Sequence, residues 1–484
     1  MPLVPQNVPP VPPGVRAGRV RSRWIRATCL AAAALTAIGA APAGPVPAGA
    51  DTGRPGHCAR ADTIVVPGAE HQQAACLDEL TTAGTVASGH TDEADWAGLT
   101  PKDLATPSGV PGIQLDGYFP DSSTTNTSHG WNHDSQFVIR LPDRWNGGLV
   151  IAGSPGVRKQ YANDRAFGDW VLARGYAYAA TDKGNTGATF HRDGSAPGDA
   201  LAEWNRRVTQ LNLAAREVAA QRYQRPVTRT LAMGMSNGGY LVRWQLENHP
   251  ELYDGGVDWE GTLWRTKDPN PLTFLPPTLR AYAAGGAGAG AAHRKIVKAG
   301  FPAGSEFLWP YHHQYYWDLT QRIYREELDP GYDGAVEAGT PFCTPGTPAC
   351  DADYDYESRP GAVRDAIEKI ELTGRIGKPL ISFHGTLDVL LPISKTSDTY
   401  ARMVRQEGRG ALHRYYRVEG GTHVDSLFDT FPDRLRPLVP CHRSAVTALE
   451  RWLDDGRRPP PSRTLPLPEG ADPATLLTRC PLGG

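Results

Sequence analysis

Residues 231–240 read LAMGMSNGGY, and the fold turns on how this stretch is understood. Gly234-Met235-Ser236-Asn237-Gly238 is a G-x-S-x-G run. It follows the apolar residues 230–233 and precedes residues 240–248, whose pattern is helical. A strand, a sharp turn with serine at its apex and a helix are the context that a nucleophile elbow needs. Side chains at Gly234 and Gly238 would collide with neighbouring backbone, so both positions are minimal. The serine is held in a strained conformation, and the helix N-terminus behind it favours developing negative charge. With 53 glycines in the chain, a bare match arises easily, and the rival reading is a glycine-rich turn with an idle serine. The strand–helix context and the residues downstream favour Ser236 as nucleophile.

Those downstream residues are Asp388, in HGTLD, and His423, in GGTHVD. Ser236, Asp388 and His423 each fall at the C-terminal end of a predicted strand (230–233, 378–384 and 413–418), where parallel sheets build their sites. The order Ser…Asp…His is that of α/β-hydrolases. A serine hydroxyl needs an adjacent base at neutral pH; His423 would take its proton, and Asp388 would orient the imidazole and stabilise its charged form. Asp258 and Glu260, after the predicted strand 255–259, compete as the acid. His384 reads as a support for its own turn, and His442 lacks a glycine-rich loop. The oxyanion hole is expected from the Asn237 amide and from the loop Gly153-Ser154-Pro155-Gly156, where Ser154, Gly156 or Val157 must serve because Pro155 has no N–H.

Around these motifs, strand signals at 135–141, 148–153, 176–181, 255–259, 378–384 and 413–418 alternate with helical patterns. The expected fold is α/β, the α/β-hydrolase fold with a mostly parallel central sheet. Between its sixth and seventh strands the alternation stops, and residues 263–364 are expected to form an inserted lid or cap. The catalytic domain is then 117–262 and 365–456, preceded by an N-terminal arm over 51–116 and followed by a tail over 457–484. In the aromatic run 307–317, FLWPYHHQYYW, residues Trp309, Tyr311, Tyr315 and Trp317 suit either a wall of the substrate cleft or the insertion's own core. His312 and His313 read as ordinary polar residues of that segment.

The chain has 484 residues and a net charge of −2, which argues against a nucleic-acid partner. Arg16, Arg19, Arg21, Arg23 and Arg26 precede the short apolar stretch 27–41, with small-residue cleavage sites near 40 and 50. Residues 1–50 are expected to be a signal peptide, and the mature chain to be secreted, with no membrane-spanning run. Cys29 leaves with the signal, and six cysteines remain for an oxidising compartment: Cys58, Cys76, Cys343, Cys350, Cys441 and Cys480. Proximity along the chain suggests Cys58–Cys76, Cys343–Cys350 and Cys441–Cys480. No C-x-x-C or His/Cys cluster indicates a metal, and no cofactor is expected.

The motifs GMSNGG around Ser236, TDKGNTG over 181–187, HGTLD at Asp388 and GGTHVD at His423 resemble secreted α/β-hydrolases related to 3-hydroxybutyrate oligomer hydrolases. The chain is similar, more loosely, to the tannase/feruloyl esterase group. The resemblance covers residues 117–456 and is confined to motifs in the insertion. It implies hydrolysis of a carboxylic ester with Ser236, Asp388 and His423 as triad. Tannase-type enzymes join the neighbours of the serine and histidine by a disulfide, but Met235 and Val424 stand there in this chain. The expected function is a secreted serine esterase acting through an acyl-enzyme on short hydroxyalkanoate esters or oligomers. A feruloyl or tannase-like esterase, a serine peptidase of the same fold and a catalytically idle binding module are the alternatives.

Overall fold

The computed structural model describes residues 61–285, 290–332 and 352–482, excepting the side chains of Gln314 and Tyr315. The expected targeting segment, Cys58, Cys343, Cys350 and the Tyr315 side chain lie outside that range. Ten strands form one sheet: β1 (His71–Leu77), β2 (Gly112–Tyr118), β3 (Gln136–Pro142), β4 (Gly148–Gly153), β5 (Ala177–Thr181), β6 (Arg229–Met235), β7 (Gly255–Trp259), β8 (Leu380–Gly385), β9 (His413–Val418) and β10 (Arg463–Leu465). Their order is β1-β2-β3-β5-β4-β6-β7-β8-β9-β10. From β5 to β10 every pairing is parallel; β1, β2, β3 and β5 pair antiparallel.

The central strands are short apolar runs because both their faces are covered. β4, β5, β7 and β8 are buried throughout. Alternate residues feed two cores: Leu149, Ile151 and Ala232 face the helices Asp199–Tyr223 and Asn237–Asn248, whereas Val150, Leu231, Met233 and Ile381 pack with Val439–Asp455. This is the period of two expected of a pleated sheet. The described part of the chain between β7 and β8 carries the helices Pro271–Ala283, Ala291–Lys298, Trp309–His312, Asp318–Leu328 and Gly361–Glu368. Much of it packs around a third core, in which Phe274, Leu275, Trp309 and Trp317 meet Val389, Leu390 and Leu391 from the loop after β8.

Two segments differ from expectation. Residues 51–116 read as an arm with few strand signals, yet β1 and β2 extend the antiparallel end of the sheet. Gln114 and Asp116 obscure the pattern of β2, because they are buried polar residues. Their burial is tolerated because Arg140 Nε donates to Gln114 at 2.8 Å and Gln114 donates to Asp116 at 2.8 Å. The C-terminal tail contributes β10, paired in parallel with β9, and a disulfide joins Cys441 in the closing helix to Cys480. Cys76 is also disulfide-bonded. Among the described residues, no helix is long and apolar enough to cross a membrane.

Candidate active site

Ser236 stands between β6 and the helix Asn237–Asn248 with φ 57° and ψ −121°. A non-glycine residue in that region is strained and persists only where its surroundings fix it. Here they do. The Ser236 amide donates to Trp259 O at 2.9 Å, while its carbonyl accepts from Tyr240 N at 3.0 Å and Thr262 N at 3.2 Å. The flanking glycines are required by space: a Cβ on Gly234 would lie 2.3 Å from the Gly238 carbonyl, and one on Gly238 would lie 2.5 Å from Gly153 O.

The loops after β8 and β9 bring Asp388 and His423 to this turn. Thr386 N donates to Val418 O at 2.9 Å and Leu387 N to Gly421 O at 2.8 Å, so the two loops are bound to each other. His423 Nε2 lies 3.0 Å from Ser236 Oγ, and His423 Nδ1 lies 2.9 Å from Asp388 Oδ2. A carboxylate only accepts, so Nδ1 carries the proton and Nε2 offers its lone pair to the serine hydroxyl. Ser236 is 8% and His423 4% exposed, so the site is almost closed to bulk water.

Asp388 is fully buried, and burial alone would raise its pKa. His423, together with hydrogen bonds from His384 and His423, outweighs burial and holds the carboxyl far below the usual range. Oδ1 accepts from Leu390 N and Leu391 N, each at 2.8 Å; Oδ2 accepts from His384 Nε2 at 3.0 Å as well as from His423. His384 Nε2 also lies 3.0 Å from Leu391 O, an acceptor only, so that nitrogen bears its hydrogen. Glu260, His384 and Asp388 place ligand atoms within 4.8 Å of one another, but an N–H is not a metal ligand, and this donor set does not fit a cation.

The competing acids are otherwise engaged. Asp258 pairs with Arg243 at 2.7 Å and accepts from Gly261 N at 2.9 Å. Glu260 accepts from Gly385 N at 2.6 Å, while its second oxygen, 3.7 Å from His423 Nδ1, has no hydrogen-bond partner. Burial and the charge of Asp388 push the Glu260 pKa well up, which makes it a poorer counter-ion of His423 than Asp388. His442 is buried against Phe167, with ring centroids 4.7 Å apart.

Two expectations are corrected. The Ser154 amide donates to Thr181 O at 3.1 Å, continuing the β4–β5 pairing, and is not free for a substrate oxygen. Gly156, with φ 52°, Val157 and the Asn237 amide remain as candidate donors. Trp309 and Trp317 are wholly buried; their indole N–H groups donate to Ser305 Oγ and Val389 O, so they build the insertion's core and not a cleft wall. Tyr311 is half-buried beside Phe431, with centroids 5.7 Å apart. A cleft of about 820 Å³ lined by Leu272, Phe274, Arg280, Tyr354, Tyr356 and Lys395 borders neither Ser236, Asp388 nor His423.

Residues 349–479, which contain Asp388 and His423, match the model of the 3HB-oligomer hydrolase (3HBOH) family, and residues 168–269, which contain Ser236, match that of the prolyl oligopeptidase family. A D-(-)-3-hydroxybutyrate oligomer hydrolase of Cupriavidus pinatubonensis is 31% identical over 134 residues, which is 26% of this chain and 19% of that protein. The homologous enzyme of Cupriavidus necator is 36% identical over 93 residues, 18% of this chain and 13% of that protein. The chain therefore matches about a fifth or less of the length of these relatives. An Aspergillus oryzae esterase structure superposes with a TM-score of 0.49 at 14% identity, covering 83% of this chain and 90% of that one. Feruloyl esterase B of the same organism gives 0.47 at 13% identity, covering 82% and 90%. The chain has the α/β-hydrolase fold.

Within this fold, two side chains support the site in ways that their motifs did not indicate. The Asn237 side chain donates to Gly156 O at 3.1 Å and to Tyr324 OH, and accepts from Thr262 Oγ1 at 2.9 Å, so it ties the elbow to the loop after β4 and to the helix Asp318–Leu328. Lys183, in TDKGNTG, is buried and donates to Ser154 Oγ, whose hydroxyl donates in turn to Arg158 O at 2.6 Å. Burial pulls the Lys183 pKa down to about 7 against the opposing charge of Asp182. The available clue was a lysine at the C-terminal end of β5, beside the end of β4.

Proposed function

We propose that this chain is a serine hydrolase that cleaves carboxylic esters through an acyl-enzyme, with Ser236 as nucleophile, His423 as general base and acid, and Asp388 as the acid that orients it. The observation that carries this reading is the hydrogen-bonded sequence Ser236 Oγ–His423 Nε2–Nδ1–Asp388 Oδ2, at 3.0 and 2.9 Å, on a serine with positive φ. Ser236 Oγ attacks the ester carbonyl as its proton passes to His423, and the resulting imidazolium is stabilised by Asp388. The Asn237 and Gly156 amides receive the oxyanion, each donor contributing about 3–4 kcal/mol to the transition state. His423 then protonates the leaving alkoxide, and a water activated by the same nitrogen releases the acid.

The matched relatives favour a short hydroxyalkanoate ester or oligomer as substrate. The expected signal segment and the Cys441–Cys480 bridge favour a secreted protein. Residues 263–364 act as the lid. A second reading, a serine peptidase, is favoured by the match of residues 168–269 to the prolyl oligopeptidase family.

The test is hydrolysis of p-nitrophenyl butyrate by the mature protein beside Ser236→Ala, followed by 3-hydroxybutyrate oligomers. Turnover by the wild type and a variant near the buffer rate are expected. Equal rates would remove Ser236 from its role. Two inert proteins, with amine released from peptide anilides by the wild type, would favour the peptidase.

A further inference from the structure

His312 ends the short helix Trp309–His312 and is followed by a π-helical turn, His313–Trp317. It is wholly buried, and neither ring nitrogen has a hydrogen-bond partner. The aromatic residues on either side of it, Trp309 and Trp317, pack against Val389, Leu390 and Leu391, and Trp317 donates to Val389 O, so the segment is seated on the loop that carries Asp388; the charges of Asp388 and His423 act on the ring. Burial lowers its pKa to about 3, so the ring is neutral and presents one N–H donor and one bare acceptor nitrogen. Buried polar groups are almost always paired, and an unpaired donor and acceptor on one ring point to a missing partner. Tyr316 packs against the ring, with centroids 5.2 Å apart. Tyr316 in turn lies within electrostatic reach of Arg158, whose carbonyl holds the Ser154 hydroxyl in the loop after β4. His312 thus belongs to the part of the insertion that meets the site.

Two other buried histidines give the contrast. His413 has a partner in Ser382 Oγ at 3.0 Å. His442 also has idle nitrogens, but it is enclosed by the rings of Phe167, Trp259 and Phe383 in the core. Of these three buried histidines among the described residues, His312 alone combines idle nitrogens with a place on the segment seated against the Asp388 loop.

We infer that His312 is a substrate-positioning residue that hydrogen-bonds the oxygen on the β-carbon of a 3-hydroxyacyl ester, and so selects such esters over plain acyl esters of the same length. The inference rests on the esterase reading above, since the acyl group must be attached to Ser236. A free β-hydroxyl both donates and accepts, matching the two idle nitrogens; the β-oxygen of an oligomer only accepts, and the ring N–H serves it. A pocket that hydrogen-bonds a substrate hydroxyl rejects the analogue lacking it far better than an apolar pocket separates chain lengths.

The experiment compares kcat/KM for the p-nitrophenyl esters of 3-hydroxybutyrate and butyrate in the wild type, His312→Leu and His312→Gln. The wild type is expected to prefer the hydroxyacyl ester. Leucine should lower the ratio by at least about tenfold, and glutamine, which restores a donor and an acceptor, should recover part of it. Labelling of Ser236 by a fluorophosphonate probe identifies folded variants, and if leucine fails this control His312→Phe, which fills the space with a ring that has no donor or acceptor, takes its place, a ratio lowered about tenfold counting for the inference and an unchanged ratio against it. An unchanged ratio in a labelled leucine variant overturns the inference, as does a wild type that hydrolyses both esters equally or only the butyrate; in these cases the esterase reading stands. A wild type inert on both esters overturns the esterase reading and this inference with it.

Discussion

Gly238→Ala tests the geometry of the elbow directly. A Cβ at this position stands 2.5 Å from Gly153 O, which is 0.9 Å short of the 3.4 Å at which ordinary contact begins. Neither side of the clash is a flexible side chain: Gly153 ends β4, and Gly238 lies in the first turn of the helix Asn237–Asn248. Relief requires backbone to move by nearly 1 Å. The helix start carries the Asn237 amide and the chain beyond Gly153 carries Gly156, so the movement changes the separation of the two proposed oxyanion donors. Misplacement by about 1 Å costs about 100-fold in rate, equivalent to about 2.7 kcal/mol. Overpacking should also lower stability by about 1–3 kcal/mol. The assay is kcat/KM on p-nitrophenyl butyrate together with thermal unfolding. Gly361→Ala is the control, because a Cβ at that helix start meets nothing within 4 Å, and it should lose neither activity nor stability. Wild-type kcat/KM and an unchanged melting temperature in Gly238→Ala would refute the reasoning.

Asp388→Ala leaves Glu260 as the carboxyl facing His423 Nδ1, at 3.7 Å, and removes one of the causes that raise the Glu260 pKa. Glu260 should then partly replace the lost acid, so Asp388→Ala/Glu260→Gln should be slower than Asp388→Ala by about tenfold, or 1.36 kcal/mol in the barrier; equal rates would mean that Glu260 never engages. Asp425 accepts from Leu438 N and Val439 N at the start of the closing helix, and burial raises its pKa from 3.8 to about 7. Because the folded chain holds a proton there that the unfolded chain releases, this residue's contribution to stability is present below about pH 4 and declines as pH rises towards 7. Asp425→Asn should flatten the fall in urea midpoint between pH 5 and pH 8, and an identical slope would contradict the assignment. The Cys441–Cys480 bridge spans 39 residues, a loop for which chain entropy gives about 4 kcal/mol. Replacing both cysteines by serine should lower the guanidinium midpoint accordingly, and an unmoved midpoint would show that the bridge contributes nothing to stability.

What was legible in the sequence was whatever short-range pattern controls. β4, β7 and β9 occupy the residues that their apolar runs mark, and β6 and β8 shift by no more than a few residues. Ser236, Asp388 and His423 could be nominated because each follows such a run, and the structure brings them within hydrogen-bonding distance. β2 was obscured because Gln114 and Asp116 look exposed until Arg140 is placed beside them by β3. The Ser154 amide was lost as a donor because β4 lies beside β5 in a register that sets Ser154 N against Thr181 O, a fact of strand pairing and not of the loop itself. For Trp309 and Trp317, an aromatic run reads alike whether it lines a cleft or fills a core; Phe274 and Val389, distant in sequence, decide for the core. The isolation of His312 is visible only when everything packed around it is known.

The three acids beside β7 and β8 show why position alone did not select among them. Asp258, Glu260 and Asp388 are all buried, and a buried carboxyl stays ionised only if enough donors or a cation face it. Asp258 has the Arg243 guanidinium, which neutralises it and leaves no role towards His423. Asp388 has two backbone amides and two imidazole N–H groups, four donors on two oxygens. Glu260 has one amide and an idle oxygen, so burial pushes its pKa up, and the negative charge on Asp388 pushes the same way. His384 contributes most plainly here. Leu391 O fixes its Nε2 as a donor, so the imidazole stabilises the Asp388 carboxylate whether or not it gains a second proton. The histidine of HGTLD is therefore a positioning residue: it makes Asp388, and not Glu260, the charged partner of His423.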